Sequence, residues 1–188
     1  MEKRENTEQP ILEVLGKRWS PRAFDSQAIL TAADLAPAFE AARWAPSGNN
    51  LQPWSFIVGY RGDQTFNKIS ENLSGFNQIW TPNASALIVA ITDTSTPSGR
   101  QNPWARYDLG QAVAHFTIQA TADGLATHQV GGIDIEMLTS ELGVHEPLEI
   151  VTVIVVGKIG DPNTLPEERK ATELAPRQRK PLAEIVSL

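Results

Sequence analysis

Two runs constrain this chain more than anything else in it. Residues 85–92 read SALIVAIT and residues 149–157 read EIVTVIVVG. Both are short, almost wholly apolar and rich in β-branched side chains, the pattern of strands covered on both faces. A sheet built on such strands needs a layer of helices on each side, because every apolar face must find a partner.

The rest of the chain supplies those layers. The spacing of Leu35, Phe39 and Ala42 predicts an amphipathic helix over 32–44, with Thr31 as N-cap and Asp34 completing a capping box. DQTFNKISENL (63–73) reads as a surface helix, and 104–123 as the longest helix, with Leu109, Val113, Phe116 and Ala120 on one stripe and Gly124 as the stop. DIEMLTSEL (134–142) is a further helix ended by Gly143, and WSFIVG (54–59) a further strand. Pro10–Lys17 reads as a short helix with Ile11, Leu12 and Leu15 inward. Residues 93–103 form a loop. The stretch 159–188, rich in Pro and charge, reads as an extended C-terminal arm that either folds back on its own domain or docks on a second subunit. The expectation is a single domain over 1–188 of the α+β class, with three layers α/β/α around one sheet.

Composition bounds the function. With 22 acidic against 16 basic residues the formal charge is −6, which argues against nucleic acid as the main partner. No cysteine is present, so disulfides, thiolate metal sites and thiol nucleophiles are excluded. The opening MEKRENTEQP is charged with no apolar core, and no apolar run approaches the roughly 20 residues that span a bilayer, so a cytoplasmic location without a membrane is expected. His115, His128 and His145 share no ligand spacing, and no metal is expected. The motifs of nucleotide-binding loops and of serine hydrolases are missing. Nothing in the inventory is an obvious catalytic acid, base or nucleophile, so the chemistry is expected to come from a cofactor.

Four clusters could bind one. In GKRWSPRAFD, Arg18, Ser20 and Arg22 alternate, and alternate side chains of an extended segment face one way. Two guanidinium groups and a hydroxyl suit a phosphate, and the same spacing suits a solvated basic loop. The turn of APSGNNLQPW holds Ser47, Asn49, Asn50 and Gln52, whose donors and acceptors suit the edge of a planar heterocycle and equally suit a local turn. HQVGGID (128–134) puts two glycines ahead of a helix, a candidate anion nest. PRQRKPLAEI (176–185) clusters Arg177, Arg179 and Lys180, as a solvated charge run also would.

In this order, the segments resemble the FMN-dependent nitroreductase family over nearly the whole chain. KRWSPRAFD is similar to its N-terminal Arg-x-Ser-x-Arg/Lys-x-Phe motif, and APSGNNLQPWSFIV to its Pro-Ser-x-x-Asn-x-Gln-Pro-Trp motif, the most specific of the set. FNQIWTPNASALIVAIT, YDLGQAVAHFTIQATADGLAT, VGGID and RQRKPLAEIV match further family segments in turn. The resemblance implies a mostly antiparallel sheet wrapped by helices, in an interlocked homodimer whose C-terminal arms exchange and whose long helix 104–123 is a main dimer element. It implies FMN at the dimer interface and NAD(P)H as reductant, in ping-pong transfer to a small electron-poor acceptor such as a nitroaromatic or quinone.

The roles it implies are these. Arg18, Trp19, Ser20 and Arg22 hold the phosphate and ribityl chain or reach the pyrimidine edge of the ring. Arg177 and Arg179 neutralise the phosphate. Pro46, Ser47, Gly48 and Asn50 approach from the partner chain, Asn77 bonds the ring, and Val130, Gly131 and Gly132 bring backbone N–H groups to it. No protein side chain is expected to be catalytic. Trp19 and Trp80 depart from the family pattern, which often has polar or basic residues there. As a lid over the ring, either would favour the alternative of a flavin store or sensor without efficient turnover.

Overall fold

A computed structural model describes residues 7–187. Met1–Asn6 of the charged opening stretch and Leu188 of the apolar closing stretch lie outside it. Four strands form one antiparallel sheet in the order β1-β2-β4-β3. They are β1 (Trp54–Tyr60), β2 (Ala86–Asp93), β3 (Ala126–Val130) and β4 (Leu148–Gly157). The two β-branched runs are β2 and β4, side by side at the centre, with Val89 opposite Val153 and Leu87 opposite Val155.

Alternation along the central strands divides the core in two. Leu87, Val89, Ile91, Val153 and Val155 face one side, where they meet Phe66 and Ile69 of α3 (Gln64–Glu71), Trp80 of α4 (Asn77–Trp80) and Leu138 of α6 (Ile135–Leu142). Ala86, Ile88, Ala90, Ile154 and Val156 face the other, against Leu35 and Ala38 of α2 (Ala32–Arg43) and Leu109, Val113 and Phe116 of α5 (Ala105–Ala122). The result is the three-layer α/β/α arrangement expected. At the start of α2 the Asp34 carboxylate accepts from the Thr31 N–H and hydroxyl, both at 2.7 Å, and Gly124 and Gly143, at φ +71° and +64°, end α5 and α6 in the left-handed conformation that glycine allows. The apolar stripe of α5 is thus used by its own sheet. The large apolar groups exposed at the start of α5 are Trp104, which caps it, and Tyr107.

Three expectations are corrected. The short N-terminal helix α1 (Glu13–Lys17) packs against α5, yet Ile11, Leu12 and Leu15 face outward, Leu12 with 70% of its surface exposed. Helix periodicity marks an apolar face and not what covers it. The stretch ahead of the glycine pair is the strand β3 and not a loop; ATHQV carries a polar edge pattern that does not announce a strand. The tail is not simply extended: it forms α7 (Glu167–Leu174) and α8 (Leu182–Ile185). It returns onto its own chain, since the Leu182 N–H donates to Glu8 Oε1 at 3.2 Å and Glu173 and Arg177 reach residues 16–23. No described helix is long and apolar enough to cross a membrane.

Candidate functional site

The segment 18–25 links α1 to α2 and is held along its backbone. The Gly160 N–H donates to Ala23 O at 2.8 Å and the Asp25 N–H to Lys158 O at 3.0 Å, so the segment lies against the chain that leaves β4. From β3, His128 Nδ1 donates to Pro21 O at 2.8 Å, which fixes its tautomer because a carbonyl can only accept. From α7, Glu173 Oε1 accepts the N–H groups of Arg22 at 2.7 Å and Ala23 at 3.0 Å. Burial holds the pKa of His128 below its ordinary value.

This frame presents the basic groups. Arg18 donates to the Ser20 hydroxyl at 3.2 Å, so alternate residues do share a side. Arg177 lies beside them and gives its terminal nitrogens to Arg18 O, at 2.7 Å, and to Gly16 O. Arg179 completes the group. Burial first, then the charges of Arg179 and Arg177, hold the pKa of Arg18 below its ordinary value. Beside them a cleft of about 520 Å³ runs between the N-terminal segment and the tail, lined by Ile11, Leu15, Arg177, Arg179, Lys180 and Leu182 among others.

A second group forms where the chain leaves β3. Val130 is buried, with its carbonyl accepting from the Thr152 hydroxyl at 2.9 Å. The Ser74 N–H donates to Gly132 O at 2.9 Å, which ties residues 131–133 to the turn before α4. Asn77, the first residue of α4, is so close that a Cβ on Gly132 would stand 2.8 Å from its Nδ2 and 2.9 Å from Ser74 Oγ. Only glycine fits there without moving the amide. A Cβ on Gly131 would meet open space, so the two glycines differ in role.

The Pro46–Asn50 turn belongs to a third group, held by the start of α5. Asp108 is 2% exposed, and its Oδ2 accepts the Gly48 N–H at 3.0 Å. Gln111 Nε2 lies 3.5 Å from Pro46 O. The Ser47 hydroxyl accepts from Gln52 N, and the Gln52 side chain donates to Asn50 O, both at 3.0 Å. Asn49, Asn50 and Gln52 have φ of +51°, +56° and +49°. Three side-chain-bearing residues in the left-handed region within four positions is a local strain that persists only where surrounding contacts enforce it.

The sequence-predicted residues therefore fall into three groups, of which Arg18, Ser20, Arg22, Arg177 and Arg179 make one, Asn77 with Val130, Gly131 and Gly132 the next, and Pro46, Ser47, Gly48 and Asn50 the last. Trp19 is buried. Trp80 is completely buried, stacked on Phe24 at 5.9 Å between ring centroids and tilted on His128 at 4.8 Å. It is a core residue and forms no lid, which removes one of the two features that would favour a flavin store. Sequence reasoning missed Glu173, Asp108 and the framing role of His128. Among the charges of the tail nothing distinguishes Glu173, and Asp108 shows only as a polar residue one position before the apolar stripe.

Comparisons with known proteins bear on the family and the fold. The chain is 25% identical over 220 residues to the oxygen-insensitive NAD(P)H nitroreductase of Enterobacter cloacae, covering 94% of this chain and 98% of that one. It is 33% identical over 141 residues to an uncharacterized 15.4 kDa protein of Mycolicibacterium smegmatis, covering 69% of this chain and 92% of that one. Among solved structures, an oxidoreductase containing FMN superposes with a TM-score of 0.92 at 29% identity, over 97% of this chain and 93% of that one. A nitroreductase family protein of Clostridium difficile 630 superposes at 0.73 with 26% identity, over 95% and 98%. The family description that matches residues 15–158 is that of the nitroreductases, and on that match the chain belongs to the nitroreductase family.

Proposed function

We propose that the chain is an FMN-dependent oxidoreductase that takes reducing equivalents from NAD(P)H and passes them to an electron-poor small molecule, such as a nitroaromatic or a quinone, with donor and acceptor using the site in turn. One observation carries the cofactor assignment. Arg18, which donates to the Ser20 hydroxyl at 3.2 Å, is partly desolvated, and Arg177, bonded to the Arg18 carbonyl at 2.7 Å, and Arg179 add like charge beside it. Like charges are crowded this way where an anion relieves them, and a phosphate monoester with its two negative charges fits that donor set. When bound, FMN supplies the redox chemistry, and the protein supplies binding, orientation and polar contacts.

The residues divide the work. Arg18, Ser20, Arg22 and Arg179 take the phosphate and ribityl end, with Trp19 packed behind them, while Arg177 braces the segment through its carbonyls. Asn77 and the backbone of Val130, Gly131 and Gly132 take the ring edge, where N–H groups stabilise charge that develops on reduction. Pro46, Ser47, Gly48 and Asn50 approach the same ring from a second copy of the chain. The exposed Ile11, Leu12 and Leu15 beside α1, the exposed Trp104 and Tyr107 at the start of α5, and Leu182 and Ile185 of α8 support such a homodimer, since apolar groups in this number call for a partner surface.

The assignment is tested by the double substitution Arg18→Ala with Arg22→Ala. Its far-UV circular dichroism should match the parent's, because the sheet core lies elsewhere, and it should purify without flavin. Flavin retained at the parent's level would overturn the phosphate assignment.

A further inference from the structure

We infer that Glu173 is a positioning residue that sets the phosphate subsite by clamping the backbone beneath it. The inference rests on the flavin reading above. Glu173 is 1% exposed and stands in the last turn of α7. That is a poor place for a carboxylate on two counts. The C-terminal end of a helix is the negative end of its dipole, and a buried charge must be compensated by hydrogen bonds. The compensation is specific: a single oxygen, Oε1, accepts the consecutive N–H groups of Arg22 and Ala23. Those groups belong to the segment that presents Arg18, Ser20 and Arg22.

The opposite polarity of the same segment is held from β3, where His128 donates to the carbonyl of the preceding residue, Pro21. Three successive peptide positions, 21 to 23, are thus gripped by one acceptor and one donor from two distant parts of the chain. Arg177, four residues after Glu173, then gives its own donors to Gly16 O and Arg18 O. The tail from α7 onward reads as a brace that fixes the direction of the Arg18 and Arg22 side chains. Without the clamp the arginines remain, but the backbone at 22 and 23 no longer holds Ser20 and Arg22 in place beside Arg18.

The test separates positioning from simple stability. Apoprotein of the parent, Glu173→Ala, Glu173→Gln and Arg18→Ala is titrated with FMN and with riboflavin, which lacks only the phosphate, by quenching of flavin fluorescence. Glu173→Ala should bind FMN at least tenfold more weakly while riboflavin affinity changes less than twofold. Glu173→Gln, whose amide oxygen still accepts both N–H groups, should recover FMN affinity to within about threefold of the parent. Should Glu173→Ala not fold, Glu173→Asp carries the same expectation, because it keeps the charge and withdraws the oxygen by one methylene. Unchanged FMN affinity, or equal losses for FMN and riboflavin, would overturn the inference. If Arg18→Ala loses FMN selectively and the Glu173 variants do not, the clamp fails while the phosphate reading stands. If Arg18→Ala also binds FMN as the parent does, the phosphate reading itself fails.

Discussion

Replacing Asp108 is the sharpest probe of how the polar turn is built. Its buried carboxylate accepts the Gly48 N–H at 3.0 Å, and that bond anchors a turn in which Asn49, Asn50 and Gln52 are all left-handed. A hydrogen bond to a charged group contributes about 1.5–3 kcal/mol. The left-handed conformation costs about 1 kcal/mol or more for Gln52 and less for Asn49 and Asn50, whose side chains suit it, so the turn depends on its anchors. Asp108→Ala should therefore lower stability by about 2 kcal/mol, which for a domain of this size is about 4–8 °C in Tm. It should also lower flavin content, because the relaxed turn no longer offers Ser47, Gly48 and Asn50 in place. Asp108→Asn keeps an acceptor oxygen and should lose less than half as much. The assay is a thermal melt of apoprotein at one fixed concentration, since bound flavin and dimerisation both shift Tm by mass action. An Asp108→Ala protein melting within about 1 °C of the parent would refute the anchoring role.

A Cβ on Gly59 of β1 would stand 2.3 Å from Phe66 N and 2.6 Å from Phe66 Cα, backbone atoms that cannot swing away; Gly59→Ala should cost about 3 kcal/mol or more, read as a Tm drop of about 6 °C or greater. Because burial depresses the pKa of His128 below 6.5, the unfolded chain takes up a proton below that pH before the folded one does, so acid favours unfolding. The parent should accordingly lose stability more steeply than His128→Gln between pH 6.5 and 5 in urea titrations, and parallel slopes would contradict it. Truncation after Thr164 removes Glu173, Arg177 and Arg179 together; it should leave less than a tenth of the flavin and weaken the dimer in sedimentation, whereas a flavin-replete tight dimer would contradict both roles of the tail.

Much of the frame was readable from the chain because it depends on local pattern. The β-branched runs of β2 and β4, the Thr31–Asp34 cap and the stripe of α5 each carry their own periodicity, and tertiary contacts agree with it. What stayed hidden depends on contacts between distant segments. The strand β3 is short and polar at His128 and Gln129, and it exists because β4 offers it an edge. The helix α7 buries a single side chain, and that one is Glu173, so no apolar stripe announces it. The outward Ile11, Leu12 and Leu15 carry an apolar pattern whose direction local spacing does not set. In the candidate site, the pairing of Arg18 with Ser20 follows from alternation, and Gly132 follows from its type. The reach of Asp108 across 60 residues to Gly48, and of Glu173 across 151 to Arg22, has no counterpart in local spacing.

Every role assigned above depends on this chain holding FMN and reducing it with a nicotinamide. The most direct measurement is the absorbance spectrum of the purified protein, followed by anaerobic addition of NADH and, separately, NADPH. The flavin spectrum should bleach promptly with at least one of them and recover on adding a quinone or a nitroaromatic. A flavin spectrum that persists with both donors, or a colourless protein that FMN does not reconstitute, would contradict it.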